Sequence, residues 1–314
     1  MNAAVEEENG STLSRVTCGW KKPHLPLESV LRYWRDVHSP AISRRAGLYE
    51  YRHAQFDALR DDVFAPTKAI DYHCPRPEQL MWLSDVRYFD DKGLAAFGES
   101  PNAAVRAHLL ADIDILVDKS TTYRAVGRNA WTYKDETKNP APAGRPAAPT
   151  YSIFFRQRAA TPGTAGGGEA AFRECVRSLA ARWSAMAGVQ RLRLSVFDVP
   201  DMEAERKAGY PIKTHPLEQQ YQALIDLGLE EGVDTGTLIS ATEADSLCMH
   251  VAAIHAYPVA SLFTFVRGGR PTLIGLRGYP AYRAIQEFNA TGQTQPALLE
   301  WMYGPVAGRP STGS

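Results

Sequence analysis

His38 stands four residues after Trp34 and two before Pro40. Beyond Gly47 the chain alternates as Tyr49-Glu50-Tyr51-Arg52-His53. An imidazole has its ordinary pKa near neutrality, so it can take or give a proton at physiological pH. A tyrosine hydroxyl can donate to an oxygen on which negative charge develops. His38, Tyr51 and His53 are therefore the catalytic candidates, with Trp34 and Tyr49 as substrate contacts. Leu27, Val30, Leu31, Trp34 and Val37 recur at helical spacing, and Trp34 and His38 lie one helical turn apart on the same face. The spacing predicts a helix opening at Pro26 and ended by Pro40 and Gly47. On a strand, Tyr49, Tyr51 and His53 would share one face and Glu50 and Arg52 the other. The bland alternative is that His38 only closes a helix by binding its loose carbonyls, and that the tyrosines only fill a core.

Other candidates carry less. Asp85 and Arg87 alternate on a predicted strand and could hold a polar substrate group or form an ion pair on a strand surface. Trp20 and Trp82, with Trp34, could line a flat cleft for an aromatic ligand, though core packing explains them as well. His250 and His255 are five apart, which is poor spacing for one helix face, and no carboxylate completes a metal motif. Gly166–Gly168 lacks the lysine and hydroxyl of a phosphate loop. The four cysteines, Cys18, Cys74, Cys175 and Cys248, form no CxxC and read as reduced thiols. No metal and no organic cofactor is expected from these patterns.

The 314 residues carry 35 basic and 35 acidic side chains, for a formal charge of zero. That balance points away from nucleic acid and anionic membranes as partners. No apolar run approaches the roughly 18 residues that cross a bilayer. The acidic start, MNAAVEEENGS, is unlike a secretory signal, so a cytoplasmic location is expected. The length suits two domains.

The sequence also matches itself at an offset of about 141 residues. AGLYEYRHAQFD (46–57) lies against AGVQRLRLSVFD (187–198) at 141, and PEQLMWLSDVRYFDD (77–91) against LEQQYQALIDLGLEE (217–231) at 140. His108 falls opposite His250 at 142. Each copy reads as βαβ-βαβ: strands at 14–22, 48–56, 80–89 and 120–133 with a second helix at 100–116. In the second copy, strands fall at 150–158, 189–198, 218–229 and 260–276, with helices at 168–187 and 241–255. This order predicts an α+β chain of two ferredoxin-like domains forming an intramolecular dimeric α+β barrel. Its parts are a disordered tail (1–13), domain 1 with the site (14–134), a proline-rich linker (135–149), a degenerate domain 2 (150–278), a helical extension (279–303) and a tail (304–314). At offset 141, His38, Tyr51 and His53 fall opposite Leu179, Leu192 and Leu194. One copy keeps the polar set while the other replaces it with leucine, which places the site in the first.

The segment LRYWRDVHSPAISRRAGLYEYRH (31–53) resembles the EthD-like branch of the dimeric α+β barrel superfamily. That branch carries Trp-x-x-x-His-x-Pro at a helix end, then a glycine and a strand with a tyrosine and a histidine; here these are Trp34, His38, Pro40, Gly47, Tyr51 and His53. Its members associate as dimers of one-domain subunits, whereas this chain reads as both domains fused. The superfamily includes cofactor-free cyclases, decarboxylases, isomerases and monooxygenases as well as haem enzymes, so fold leaves the reaction open. The resemblance implies an acid–base enzyme of lyase, cyclase or decarboxylase type. It would act on an aromatic or polyketide-like small molecule, with a homodimer possible. The competing expectations are a haem enzyme with a histidine ligand and a non-catalytic binding protein of a catabolic system.

Overall fold

The computed structural model describes residues 9–11, 13–67, 69–159, 168–198, 203, 219–239 and 241–304. Of the tails expected at 1–13 and 304–314, residues 1–8, 12 and 305–314 lie outside the described residues, as do Gly166 and Gly167. The described end of the first is ordered, with the Asn9 side chain bonded to the backbone of Thr132 and Leu13 opening β1. The chain folds as helices on an antiparallel sheet. The first half comprises β1 (Leu13–Lys21), α1 (Leu27–Tyr33), a π-turn (Trp34–His38), α2 (Ser39–Ile42), β2 (Leu48–Phe56), β3 (Trp82–Tyr88), α3 (Asp91–Glu99), α4 (Ala103–Leu116), β4 (Val117–Val126) and β5 (Ala130–Asp135). After the short β6 (Ala143–Gly144) come β7 (Thr150–Gln157), α5 (Glu169–Ala185), β8 (Val189–Val196), β9 (Ala223–Leu229), α6 (Ala241–His250) and the long β10 (Val251–Arg267). The chain ends with β11 (Arg270–Pro271), α7 (Leu273–Arg277), α8 (Tyr279–Glu287) and α9 (Pro296–Tyr303).

The strands run β4-β1-β3-β2-β10-β7-β9-β8-β5, with β6 and β11 on β10. Two quartets, β4-β1-β3-β2 and β10-β7-β9-β8, thus follow the same order rule. The sheet curls until its edge strands, β4 and β5, are joined by the turn Gly127–Asn129. Inside the curl, Cys18, Trp20, Phe56, Leu83, Phe154 and Tyr257 pack together with residues from both halves.

Several expectations change. The strand predicted at 120–133 is two strands, and the second leaves the first quartet to pair with β8. The helix predicted over 241–255 stops at His250, and the strand placed at 260–276 starts at Val251 instead. Its proline, Pro258, sits where β10 passes from β7 to β2, beside a register shift between Val259 and Ser261. A residue without an N–H belongs at such an irregularity. Pro40 does not end the first helix. A π-turn intervenes, with the Ser39 N–H reaching Trp34 O five residues back, and Pro40 falls in the first turn of α2 where its missing N–H costs nothing. Helix α3 was not foreseen, and the proline-rich stretch 135–149 is no free linker. It begins inside β5 and lays β6 along β10.

The two quartets can be compared by register. Leu48 faces Tyr88 and Glu50 faces Arg87, which leaves Tyr49 as an extra residue. Val189 faces Leu229 and Arg191 faces Gly228, which leaves Gln190 extra. Both bulges and both partner strands are related by 141, so the offset of 140 used for 77–91 moves by one.

Gly47 leads into β2 with φ +80°, and a Cβ there would come within 1.9 Å of Gly93 O. Gly127 has φ +58° with nothing within 4 Å. In urea unfolding, Gly47→Ala is expected to cost about 3 kcal/mol or more and Gly127→Ala about 1 kcal/mol. Equal losses would contradict this close backbone contact.

Candidate active site

The first helix lies across the outer face of the first quartet. Its π-turn carries Trp34 and His38 inward, with both side chains buried and their rings 4.2 Å apart. Beneath them Tyr51 rises from β2, and Trp82 and Ser84 from β3. Gly19 on β1 makes room for the Trp82 indole, since a Cβ there would meet Trp82 Cζ2 at 2.2 Å. These side chains, with Thr17 and Thr122 below and Leu110 and Ile113 of α4 at the side, enclose a cavity of about 130 Å³.

A hydrogen-bonded chain runs along its rim. His38 Nδ1 lies 3.1 Å from Asp112 Oδ2, and the Tyr33 hydroxyl donates to Asp112 Oδ1 at 2.7 Å. Burial alone would raise the Asp112 carboxyl, but hydrogen bonds from His38 and Tyr33 outweigh it and hold the group below the usual aspartate value. Asp112 is thus an ionised acceptor, so the His38 Nδ1–H donates to it and Nε2 is the ring nitrogen left to meet a substrate. On the cavity floor the Tyr51 hydroxyl pairs with Ser39 Oγ at 2.8 Å. Burial pushes the phenol above its ordinary value, against the opposing effect of Ser39, Ser84 and Trp34, so it stays a neutral donor.

His53 is fully enclosed. Its ring stacks between Trp34 and Phe263, each 6.5 Å away, and its Nδ1 lies 3.4 Å from Ser84 Oγ. Burial, with the charges of His38 and Arg35, lowers its pKa to about 3. His53 is therefore a neutral imidazole and not a second proton carrier. Three buried nitrogens here, Trp34 Nε1, Trp82 Nε1 and His53 Nε2, have no hydrogen-bond partner among the described residues. The Trp34 N–H approaches the Tyr51 hydroxyl without reaching bonding geometry. Unsatisfied buried donors are costly, and beside a cavity they mark where a ligand oxygen would be held.

The structure brings His38, Trp34, Tyr51 and Trp82 to one cavity, with His53 behind Trp34. It separates the rest. Tyr49 is the bulged residue, so Leu48 takes the place next to Tyr51 and Tyr49 packs edge-on against Phe89 at 4.8 Å. Asp85 and Arg87 point to the opposite face of the sheet, where Arg87 binds Asp85 and Glu50. Trp20 faces the inside of the curl, its Nε1 donating to Glu78 O at 3.0 Å. Sequence reasoning missed Asp112, Tyr33 and Ser84. Asp112 lies one helical turn before Leu116, the buried position of α4, and that spacing was the available signal.

In the second quartet the same outer face is filled. By register Tyr51, His53, Ser84 and Val86 correspond to Leu192, Leu194, Ile225 and Leu227, all buried under Phe172, Val176, Leu179 and Trp183 of α5. His255 lies on β10 and not on a helix, with its Nδ1 2.7 Å from the Tyr221 hydroxyl. His108 is exposed. Among the described residues no group of three or more His, Cys, Asp or Glu side chains could hold a metal ion, and no helix is long and apolar enough to cross a membrane. Haem does not fit here: 130 Å³ is far below the roughly 300 Å³ at which pockets begin to take drug-sized ligands.

No protein-family model matches the chain, and no curated protein matches its sequence. Among solved structures, the fold is similar to that of a candidate monooxygenase from Fusobacterium nucleatum subsp. nucleatum, at 10% identity over 83% of this chain and 97% of that one, with a TM-score of 0.46. A candidate monooxygenase from Lactobacillus acidophilus is 7% identical over 81% and 96%, with a TM-score of 0.43. An anthrone oxidase-like protein is 7% identical over 81% and 93%, with a TM-score of 0.44. Likenesses this loose fix neither a family nor a reaction.

Between pH 6.5 and about 3 the unfolded chain binds a proton at His53 that the native chain refuses, so stability falls as pH drops through that window. His255, lowered to about 4 by burial and Arg156, acts with the same sign. His53→Leu, which installs the residue of the second quartet, is expected to remove up to one proton, roughly 1.4 kcal/mol per pH unit, from this dependence. Parallel stability curves for the two proteins between pH 4 and 6.5 would contradict a neutral His53.

Proposed function

We propose that the chain is a cofactor-independent acid–base enzyme for a small aromatic molecule, built from two fused ferredoxin-like units of which the first carries the site. The reading rests above all on one observation. A carboxylate-oriented histidine, His38 on Asp112, borders a cavity whose walls offer unsatisfied N–H groups and a neutral phenol. The common strand order, the matched bulges and the 141-residue offset support the duplication. The leucine- and isoleucine-filled counterpart supports a site in one unit only.

The cavity sets the substrate's size. An apolar cavity of about 150 Å³ accepts benzene, so this one accepts one ring, and a larger substrate would extend through the mouth. In the proposed reaction His38 Nε2 takes a proton from a carbon next to an aryl carbonyl. Asp112 stabilises the resulting imidazolium, as an orienting carboxylate does. The electron pair of the broken C–H bond moves to the carbonyl oxygen, which accepts hydrogen bonds from Tyr51 and the indoles. Returning the proton to the same carbon gives exchange, and returning it elsewhere gives isomerisation. Loss of a β-substituent gives lyase chemistry, and attack of the enolate carbon on a carbonyl gives cyclisation.

The exchange step is measurable without knowing the natural substrate. With acetophenone in D2O followed by NMR, the protein should accelerate loss of the methyl protons beyond an equal concentration of imidazole. His38→Ala should reduce this about 10² to 10⁴-fold, and Tyr51→Phe about 10² to 10³-fold. Undiminished exchange by folded His38→Ala protein would overturn the role given to His38. The same assay with Asp112→Asn is expected to retain binding but lose at least about tenfold in rate, since the amide no longer favours the imidazolium. Unchanged rate would remove Asp112 from the mechanism.

A further inference from the structure

A second cavity lies on the opposite face of the sheet, inside the curl. It measures about 770 Å³, within the usual range for small-molecule sites, and is lined from both halves. Its floor shows a break in the internal repeat. In the first quartet Asp85 faces Arg52 and Glu50 faces Arg87 across the β2–β3 ladder. In the second, Asp226 faces Arg193 and Arg191 faces Gly228. Asp226 therefore matches Asp85, and Gly228 stands where the first half has Arg87.

The consequence is electrostatic. Asp85 is clamped by Arg87 through Nε at 2.9 Å and Nη2 at 2.6 Å, with a further hydrogen bond from Ser14 at 2.8 Å. Asp226 has the serine but not the clamp. Ser152 Oγ donates to its Oδ1 at 2.8 Å, and it has no ion-pair partner among the described residues. Neighbouring guanidiniums have partners elsewhere: Arg191 at Asp135, Arg87 at Asp85 and Glu50, and Arg193, which faces Asp226 across the ladder, at Thr132 Oγ1. Burial and the Asp85 charge hold the Asp226 carboxyl above its ordinary value, against the opposing effect of the Ser152 hydrogen bond and of the Arg191 and Arg87 charges. Gly228 brings no side chain, and Arg191 Cβ packs 3.2 Å from where its Cβ would stand; both Asp226 and Gly228 border the cavity. The remaining walls include Leu83, Leu262, Pro142, Ala143 and the ring of Tyr282.

We propose that this interior cavity is a binding site for an organic cation, an ammonium or guanidinium on an apolar body, whose charged head takes the place of the missing arginine against Asp226. The site is separate from the His38 cavity and does not depend on the chemistry proposed there.

Calorimetric titration of the full chain with 4-phenylbutylamine, 4-phenylbutanol and 4-phenylbutyrate tests it. The amine should bind, with the alcohol and the carboxylate at least about tenfold weaker, because only the amine pairs a buried charge. Asp226→Asn, which keeps shape and the Ser152 contact, should weaken the amine about tenfold or more and bring it level with the alcohol. Absence of amine binding by the folded native chain would overturn the proposal. So would alcohol or carboxylate binding as tightly as the amine, or an unchanged amine affinity in the variant. The comparison among ligands needs no variant, so it decides even if Asp226→Asn fails to fold.

Discussion

The structure depends on how the edges of two four-stranded sheets are satisfied. Alone, β2 and β8 would each present a row of unpaired N–H and C=O groups, a costly and association-prone edge. Here β10 runs from one quartet into the other, pairing β7 through Pro258 and β2 from Val259 onward, while β5 covers β8. Each half thus lends a strand to close the other. As a result every residue of β2 is buried, and the strand can carry chemistry on both faces: Tyr51 and His53 outward beneath the helix, Glu50 and Arg52 inward.

The seam also explains the state of the histidines. Phe263 of β10 lies against His53 on one side and Trp34 on the other, so no water is left to solvate a charged imidazole, and the ring stays neutral. His38, at the helix end, is the imidazole that meets a carboxylate. Two histidines close in sequence thereby have different surroundings, and in the proposed reaction only His38 moves a proton. The second quartet has the same scaffold with leucine and isoleucine in these places, and its outer face is solid core. It provides the strand that covers β2.

Much of this could be read in the sequence. The strand at 48–56 is legible because its flanking glycine and aromatic alternation are local signals. The helical stripe sets Val30, Trp34 and His38 on the buried side, whereas its Leu27 and Val37 are exposed. What could not be read was non-local. Asp112 is 74 residues from His38 and meets it only because α4 packs beside the first helix. The exchange of β5 and β10 between halves leaves no mark on hydrophobic period, since a strand alternates in the same way whichever neighbour it pairs with. The bulge at Tyr49 defeated a strict two-residue alternation and moved one tyrosine out of the set. Asp85 and Arg87 were recognised as a polar pair, but the face they occupy follows from register.

The central claim is that the outer face of the first quartet, and not the second, holds a ligand-sized, mainly apolar cavity at His38. A crystal soaked in phenol tests it directly. The account requires a phenol ring between Trp34 and Trp82, its oxygen within hydrogen-bond reach of Tyr51 or an indole N–H, and no phenol at Leu192 and Leu194. An empty first cavity at saturating phenol, or equal occupancy beneath α5, would contradict it.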